Sequence, residues 1–545
     1  MIHISHENCA MGYVSRLLFI GLALALAAPS LLVAANLARP SGATWLHLWQ
    51  TRLLEMVVQT TLLIVAVGVG TLVLGTALAW LVSAYQFPGR KALTWLLVLP
   101  LAMPGYVMGF VFMATFDYAG PVQTALRAWF GPGVWFPEVR SIGGAALVLT
   151  LVWYPYVYVL ARAAFAEQSS ATLDAARAMG LSRSQAFARL VLPLARPSLV
   201  AGVTLVVLET LTDFATVRYF NVLTLSEGIF RIWEGMMDRA AAMELASLLL
   251  LIALGLIALE RSLRGQARYT QTGVTVQRMQ PVPLRGWRAA AALGGCLLVL
   301  ALAFGLPVVQ LIAWSVAEAR QATLPTADGV AWRYIAITLA LAGGAALLTT
   351  LIALLLAGIG RLESGRLQRI AVRLATSGYA MPGAVVGVGT LALLAALDRT
   401  LIAGGLAGAL LLTGSVMGLL YAYLVRFLAV AYNSAEASVE KVTPRMVEVA
   451  RCMGAGQGRV LWSIYTPLVR AGLLAGAILV FVDVMKELPV TLMLRPFGMD
   501  TLAIWTYMLA AESYWHAAAI PALLIVLAGV VPVALLVRAG DWVIR

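Results

Sequence analysis

A chain of 545 residues that is 61% hydrophobic and only 12% charged, with a mean hydropathy of +0.90, is not an ordinary soluble enzyme; in those roughly a quarter of residues are charged. Its formal charge of +13 sits mainly in loops between apolar runs, where it orients a chain in a bilayer and is no sign of nucleic-acid binding. Cys9, Cys296 and Cys452 are too few and too scattered for a disulfide framework or a zinc pattern.

Twelve apolar runs are long enough to be transmembrane helices: 17–35, 57–84, 93–115, 142–165, 198–216, 241–260, 289–315, 334–358, 370–396, 405–432, 471–494 and 517–538. The first run follows Arg16 and has a small-residue stretch at Val33-Ala34-Ala35, like a signal peptide. With eleven further spans behind it, it reads as an uncleaved first helix. Arg261, Arg264, Arg268, Arg278, Arg285 and Arg288 crowd one loop, and Arg361, Arg366 and Arg369 another. Those loops fall on one side of the membrane, which the positive-inside rule makes the cytoplasm, together with the N-terminus.

The chain repeats itself. Ala102-Met-Pro-Gly returns as Ala380-Met-Pro-Gly, an offset of 278, and Tyr154-Pro-Tyr-Val-Tyr-Val-Leu-Ala-Arg returns loosely from Tyr421. DAARAMG at Asp174–Gly180 returns as EVARCMG at Glu448–Gly454, an offset of 274 shared by Glu209 with Asp483 and Asp213 with Glu487. Both members of each pair fall at the same topological step, an even number of spans apart. The halves therefore have parallel topology about an axis along the membrane normal, which places a pathway between them. Within each Ala-Met-Pro-Gly, proline removes a helix hydrogen bond, so each span is expected to kink.

Between spans four and five, Leu173–Met179 favours a helix and Gly180 stops it. Ser182-Arg-Ser-Gln185 then reads as a capping box, with Ser182 as N-cap. A second short helix follows to about Leu192, where Pro193 and Pro197 are expected to break it. Copy two keeps Gly454, but Gly456 stands in place of Ser182. Two short helices joined at a glycine are a poor membrane element and a good docking surface.

The pattern (E/D)-A-A-x3-G-x9-I-x-L-P resembles the EAA loop of the membrane subunits of binding-protein-dependent ABC importers. Copy one matches with Asp174, Ala175, Ala176, Gly180 and Pro193, departing only in the acid and in Leu190. Copy two matches with Glu448, Ala450, Gly454, Ile464 and Pro467, departing at Val449 and Thr466. The resemblance implies an all-α polytopic membrane protein of the type I importer permease fold, about twelve transmembrane helices in two tandem halves. It implies that these residues form coupling loops for ABC ATPase subunits, a homodimer on the cytoplasmic side. It further implies a periplasmic or extracellular solute-binding protein, surrounding membrane lipid, no cofactor and the bacterial inner membrane. The organisation expected is a tail and first helix at 1–52, a first permease domain at 53–262, a linker, seventh helix and outer loop at 263–332, and a second permease domain at 333–538. The motor must lie on another chain, because a Walker A loop needs Gly-Lys-Ser/Thr and the only lysines, Lys91, Lys441 and Lys486, follow Arg90, Glu440 and Met485.

Glu209-Thr-Leu-Thr-Asp213-Phe-Ala-Thr, Lys486-Glu-Leu-Pro-Val-Thr, Leu494-Arg-Pro-Phe-Gly and the Tyr154 motif resemble the ferric-iron importer permeases, which also carry both halves in one chain. Thiamine permeases are fused in the same way, so another small solute stays open as the cargo. Ionisable residues within a bilayer are costly and usually face a polar interior. Glu209 with Asp213 and Asp483 with Glu487, each four residues apart, are expected on one helix face as candidate pathway residues. Carboxylates suit a hard cation. The alternatives are that these acids pair with Lys486, Arg218 or backbone groups, or serve as proton or cation sites of an ion-coupled secondary transporter.

Overall fold

The computed structural model describes residues 3–38, 43–166, 178–264, 281–321, 330–362, 366–439, 444–460, 462–463 and 466–544, which are nearly all helical. Among them, eleven helices are long and apolar enough to cross a membrane, and twelve if one sharply bent pair counts as a span. A two-residue parallel ladder, Tyr85–Gln86 with Val282–Pro283, is the one sheet among the described residues.

The run at 93–115 is broken at Met103-Pro104, where a kink was expected. Arg90–Ala102 and Gly105–Phe130 meet at 91°. Met103 and Pro104 are extended, with ψ of 117° and 143°, so the helix ladder stops and restarts. A broken backbone survives at membrane depth only inside protein, and Ala102 and Met103 are buried. Tyr154 donates its phenol to the Leu97 carbonyl at 2.9 Å, and Tyr158 to the Thr94 carbonyl at 2.8 Å, which ties the first leg to the Ile142–Ala166 helix.

In the second half the run at 370–396 is displaced. Arg366–Ala375 is a separate basic amphipathic helix, and the span begins only after Met381 and Pro382, at Gly383–Ala403. Arg366, Arg369 and Arg373 keep the earlier turns out of hydrocarbon, as on interfacial helices. The run at 405–432 likewise starts late, at Val416–Val439. The Gly-rich residues before it form a loop whose Leu411, Leu412 and Thr413 amides all donate to the Asp398 carboxylate.

Two compact units emerge, and they do not follow the two sequence halves. The first comprises Met1–Trp45, Ile232–Leu250 and Pro325–Trp505. Its centre is Val330–Leu362 against Val416–Val439 and Thr466–Met485, and the N-terminal helix His3–Asn36 packs on Arg366–Ala375 and Gly383–Ala403. Gly389 allows that approach, since a Cβ there would lie 2.6 Å from the Pro29 carbonyl oxygen. The second unit comprises Leu46–Arg231, Leu251–Leu324 and Thr506–Arg545. Its centre is the equivalent trio, Leu53–Ala84, Ile142–Ala166 and Leu192–Thr212, and here Leu306–Gln321 packs on the final helix Trp515–Ile544. Each unit thus joins a three-helix centre from one half to the first helix of the other.

Candidate functional site

The loop helices end as their glycines dictate. Gly180 has φ +80° and Gly454 φ +82°, a left-handed conformation that costs residues with a Cβ about 1–2 kcal/mol. In copy two the Ala455 amide donates to the Ala450 carbonyl at 3.0 Å across that glycine, the six-to-one bond of a Schellman motif. Glu448 is exposed and Ala450 buried, so the acid is offered to solvent while the alanine packs. Asp174, Ala175 and Ala176 lie outside the described residues.

The capping box forms in copy one. The Ser182 amide donates to Gln185 Oε1 at 2.9 Å, and the Gln185 amide to Ser182 Oγ at 3.3 Å. In copy two only the Gly456 carbonyl takes part, accepting from the Val460 amide. Pro193 does not break the chain as expected: helix runs unbroken from Ser184 to Thr212. A π-helical turn at Phe187–Val191 precedes the proline, with the Leu192 amide reaching back to the Phe187 carbonyl. That extra residue absorbs the donor and space a proline removes. Pro467 likewise opens the Thr466–Met485 helix as its second residue.

Sequence reasoning assigned no role to Met179 and Met453, which directly precede the two glycines. They are 68% and 77% exposed, and Val449 is 57% exposed. Long flexible thioethers left bare at equivalent places are surfaces that expect a partner. The signal was the methionine repeated within AMG and CMG.

The four candidate pathway acids are not arranged on helix faces as expected. Glu209 lies part-buried on Leu192–Thr212, but that helix ends one residue before Asp213. Asp213 Oδ1 accepts the Thr216 amide at 2.7 Å and Oδ2 the Thr216 hydroxyl at 2.6 Å, so the carboxylate caps the short helix Ala215–Tyr219. The Gly105 restart of the bent pair lies directly against it: a Cβ there would come 2.3 Å from Asp213 Oδ2. Arg218 donates to the Tyr507 phenol at 2.8 Å.

In the second half, Asp483 pairs with Lys486 at 2.9 Å, with both side chains about a quarter exposed. Such a pair contributes about 0–1 kcal/mol. Glu487 lies past the end of Thr466–Met485, and its Oε1 accepts the Val490 amide at 3.0 Å. Its partner is Arg426, whose Nε is 3.2 Å from Oε2, with both side chains more than nine-tenths buried. Arg426 also donates to the Met381 carbonyl and so holds the Met381–Pro382 break. That pairing spans 61 positions and is invisible to spacing arguments.

A family model described as the binding-protein-dependent transport system inner membrane component matches residues 71–264 and 349–543. The chain belongs to that family. It is a multi-pass membrane protein, a permease component of ABC importers, with the family unit present twice. Along 90% of both chains it is 26% identical to the Fe(3+)-transport system permease protein FbpB 2 of Haemophilus influenzae. It is 29% identical to the molybdenum transport system permease protein ModB of Escherichia coli over 32% of this chain and 72% of that one. To the sulfate transport system permease protein CysT of Escherichia coli it is 32% identical, over 27% of this chain and 51% of that one.

Proposed function

We propose that this permease carries ferric iron across the bacterial inner membrane, driven by ATPase subunits on separate chains. The observation that carries the cargo assignment is likeness to a ferric-iron permease along nine-tenths of both chains, including the duplication. The molybdenum and sulfate permeases match about a third of this chain or less.

In this reading the glycine-broken helices around Gly180 and Gly454 seat on an ATPase homodimer at the cytoplasmic face, with Met179 and Met453 entering its clefts. The N-terminus is cytoplasmic, lipid surrounds the spans, and a periplasmic solute-binding protein presents the cargo. The chain contributes the path and the coupling surface, and ATP hydrolysis belongs to its partners.

Membrane vesicles holding the chain, its ATPase and its binding protein test this by competition. Ferric iron taken up on ATP, with molybdate and sulfate unable to compete, is the expected result. Uptake of an oxyanion in preference to iron would overturn the cargo.

A further inference from the structure

The first break carries more polar chemistry than its fold requires. In the second compact unit Tyr219 lies within electrostatic range of Tyr106, Tyr507, Arg218 and Asp213. The Tyr219 ring is 6.3 Å from that of Tyr507. Tyr219 is 8% exposed, and its phenol oxygen, fully buried, has no hydrogen-bond partner. Leaving such a group unsatisfied is costly, because its desolvation is not repaid. Phenylalanine would fill that place without the penalty, so packing alone does not account for the oxygen. The capped Asp213 also keeps acceptor capacity, because each carboxylate oxygen has two lone pairs and Thr216 uses one on each.

The repeat supplies an internal control. At an offset of 278, Tyr106 corresponds to Ala384; at 274, Arg218 and Tyr219 correspond to Leu492 and Met493. The acid there, Glu487, is neutralised by Arg426. The phenol at that break, Tyr423, shares a 2.7 Å hydrogen bond with Thr491. The fold step therefore needs neither free phenol nor uncompensated acid.

We propose that the first break is a transient station for a hard trivalent cation in transit, built from the Asp213 carboxylate and the phenol oxygens of Tyr219, Tyr106 and Tyr507. The proposal rests on the ferric-iron reading above. Carboxylate and phenolate are hard oxygen ligands of the kind such an ion prefers. Each phenol that ligates gives up its proton to water. Arg218 has two effects: its hydrogen bond to Tyr507 positions that phenol, and its positive charge repels the cation. A site on a route must release what it binds, and a fixed guanidinium beside the ligands keeps the stop short. Arg218 also lines a charged cavity of about 260 Å³ together with Arg52, Glu55, Glu227 and Arg231.

Phenolate bound to ferric iron absorbs visible light, which gives a readout independent of transport. The full complex in lipid nanodiscs, titrated with ferric nitrilotriacetate, is expected to develop that band. Tyr219→Phe is expected to lose the band and most ferric uptake while still co-purifying with its ATPase; Tyr106→Phe, at a second position, is expected to weaken both. Tyr423→Phe is expected to keep the band. No band in the native complex, or a Tyr219→Phe complex that keeps band and uptake, overturns the station and leaves the ferric reading standing. A native complex that takes up no ferric iron overturns the ferric reading itself.

Discussion

The two mid-chain breaks solve one backbone problem with opposite electrostatics. In the second half a buried arginine does the joining. Arg426 neutralises Glu487 and holds the Met381 carbonyl, so acid, break and neighbouring helix are locked in one arrangement. In the first half the break is tied by tyrosines to carbonyls, and Asp213 accepts two bonds from Thr216 with no basic group among the described residues bonded to it. A duplicated module has kept its geometry while one copy became a fixed joint and the other retained polar groups beyond what geometry needs.

The largest expected effect comes from removing the second joint. Arg426→Ala leaves Glu487 buried without its partner, which costs about 3–5 kcal/mol, and should appear as loss of assembled complex or a steep fall in its melting temperature. The double change Arg426→Met with Glu487→Leu should recover most of that, because neither charge then remains. Asp213→Ala removes only a cap and should cost about 1 kcal/mol. If Arg426→Ala and Asp213→Ala prove equally destabilising, the contrast between the breaks is wrong.

The loops differ less. Val substituted at Gly180 or at Gly454 forces a β-branched residue to a φ near +80° and should cost about 1–2 kcal/mol of loop order. The check is ATPase co-purification, which each variant should lower. Ser182→Ala breaks the one complete capping box of the two loops and should cost about 0.5–2 kcal/mol locally, seen as faster amide exchange over 183–191. Gly456→Ala has no such box to lose and should change exchange in the second loop far less.

What the sequence made legible is what local chemistry controls. Gly180, Gly454 and the Ser182–Gln185 box depend on residues within one or two turns, and each forms as its spacing requires. Hydropathy alone runs straight through Met103-Pro104, which is as apolar as an unbroken span; the proline within Ala-Met-Pro-Gly is what announced the bend, though not its size. Pro193 misled, because a π-turn upstream supplied the slack that proline rules assume is missing. The expectation of helix-face acids failed because Asp213 and Glu487 sit one and two residues past helix ends. The Arg426 pairing depends on two helices meeting, and no periodicity encodes it. Nor does any run of residues announce that the first helix of each half packs into a unit with the other half.

On the function proposed, this chain is the membrane path of an ATP-driven ferric-iron importer. Proteoliposomes holding the chain with its ATPase inside and an iron-loaded binding protein outside test it most directly. Ferric iron should accumulate when ATP is enclosed, and not when only a proton gradient is imposed. Accumulation driven by the gradient without ATP would contradict it.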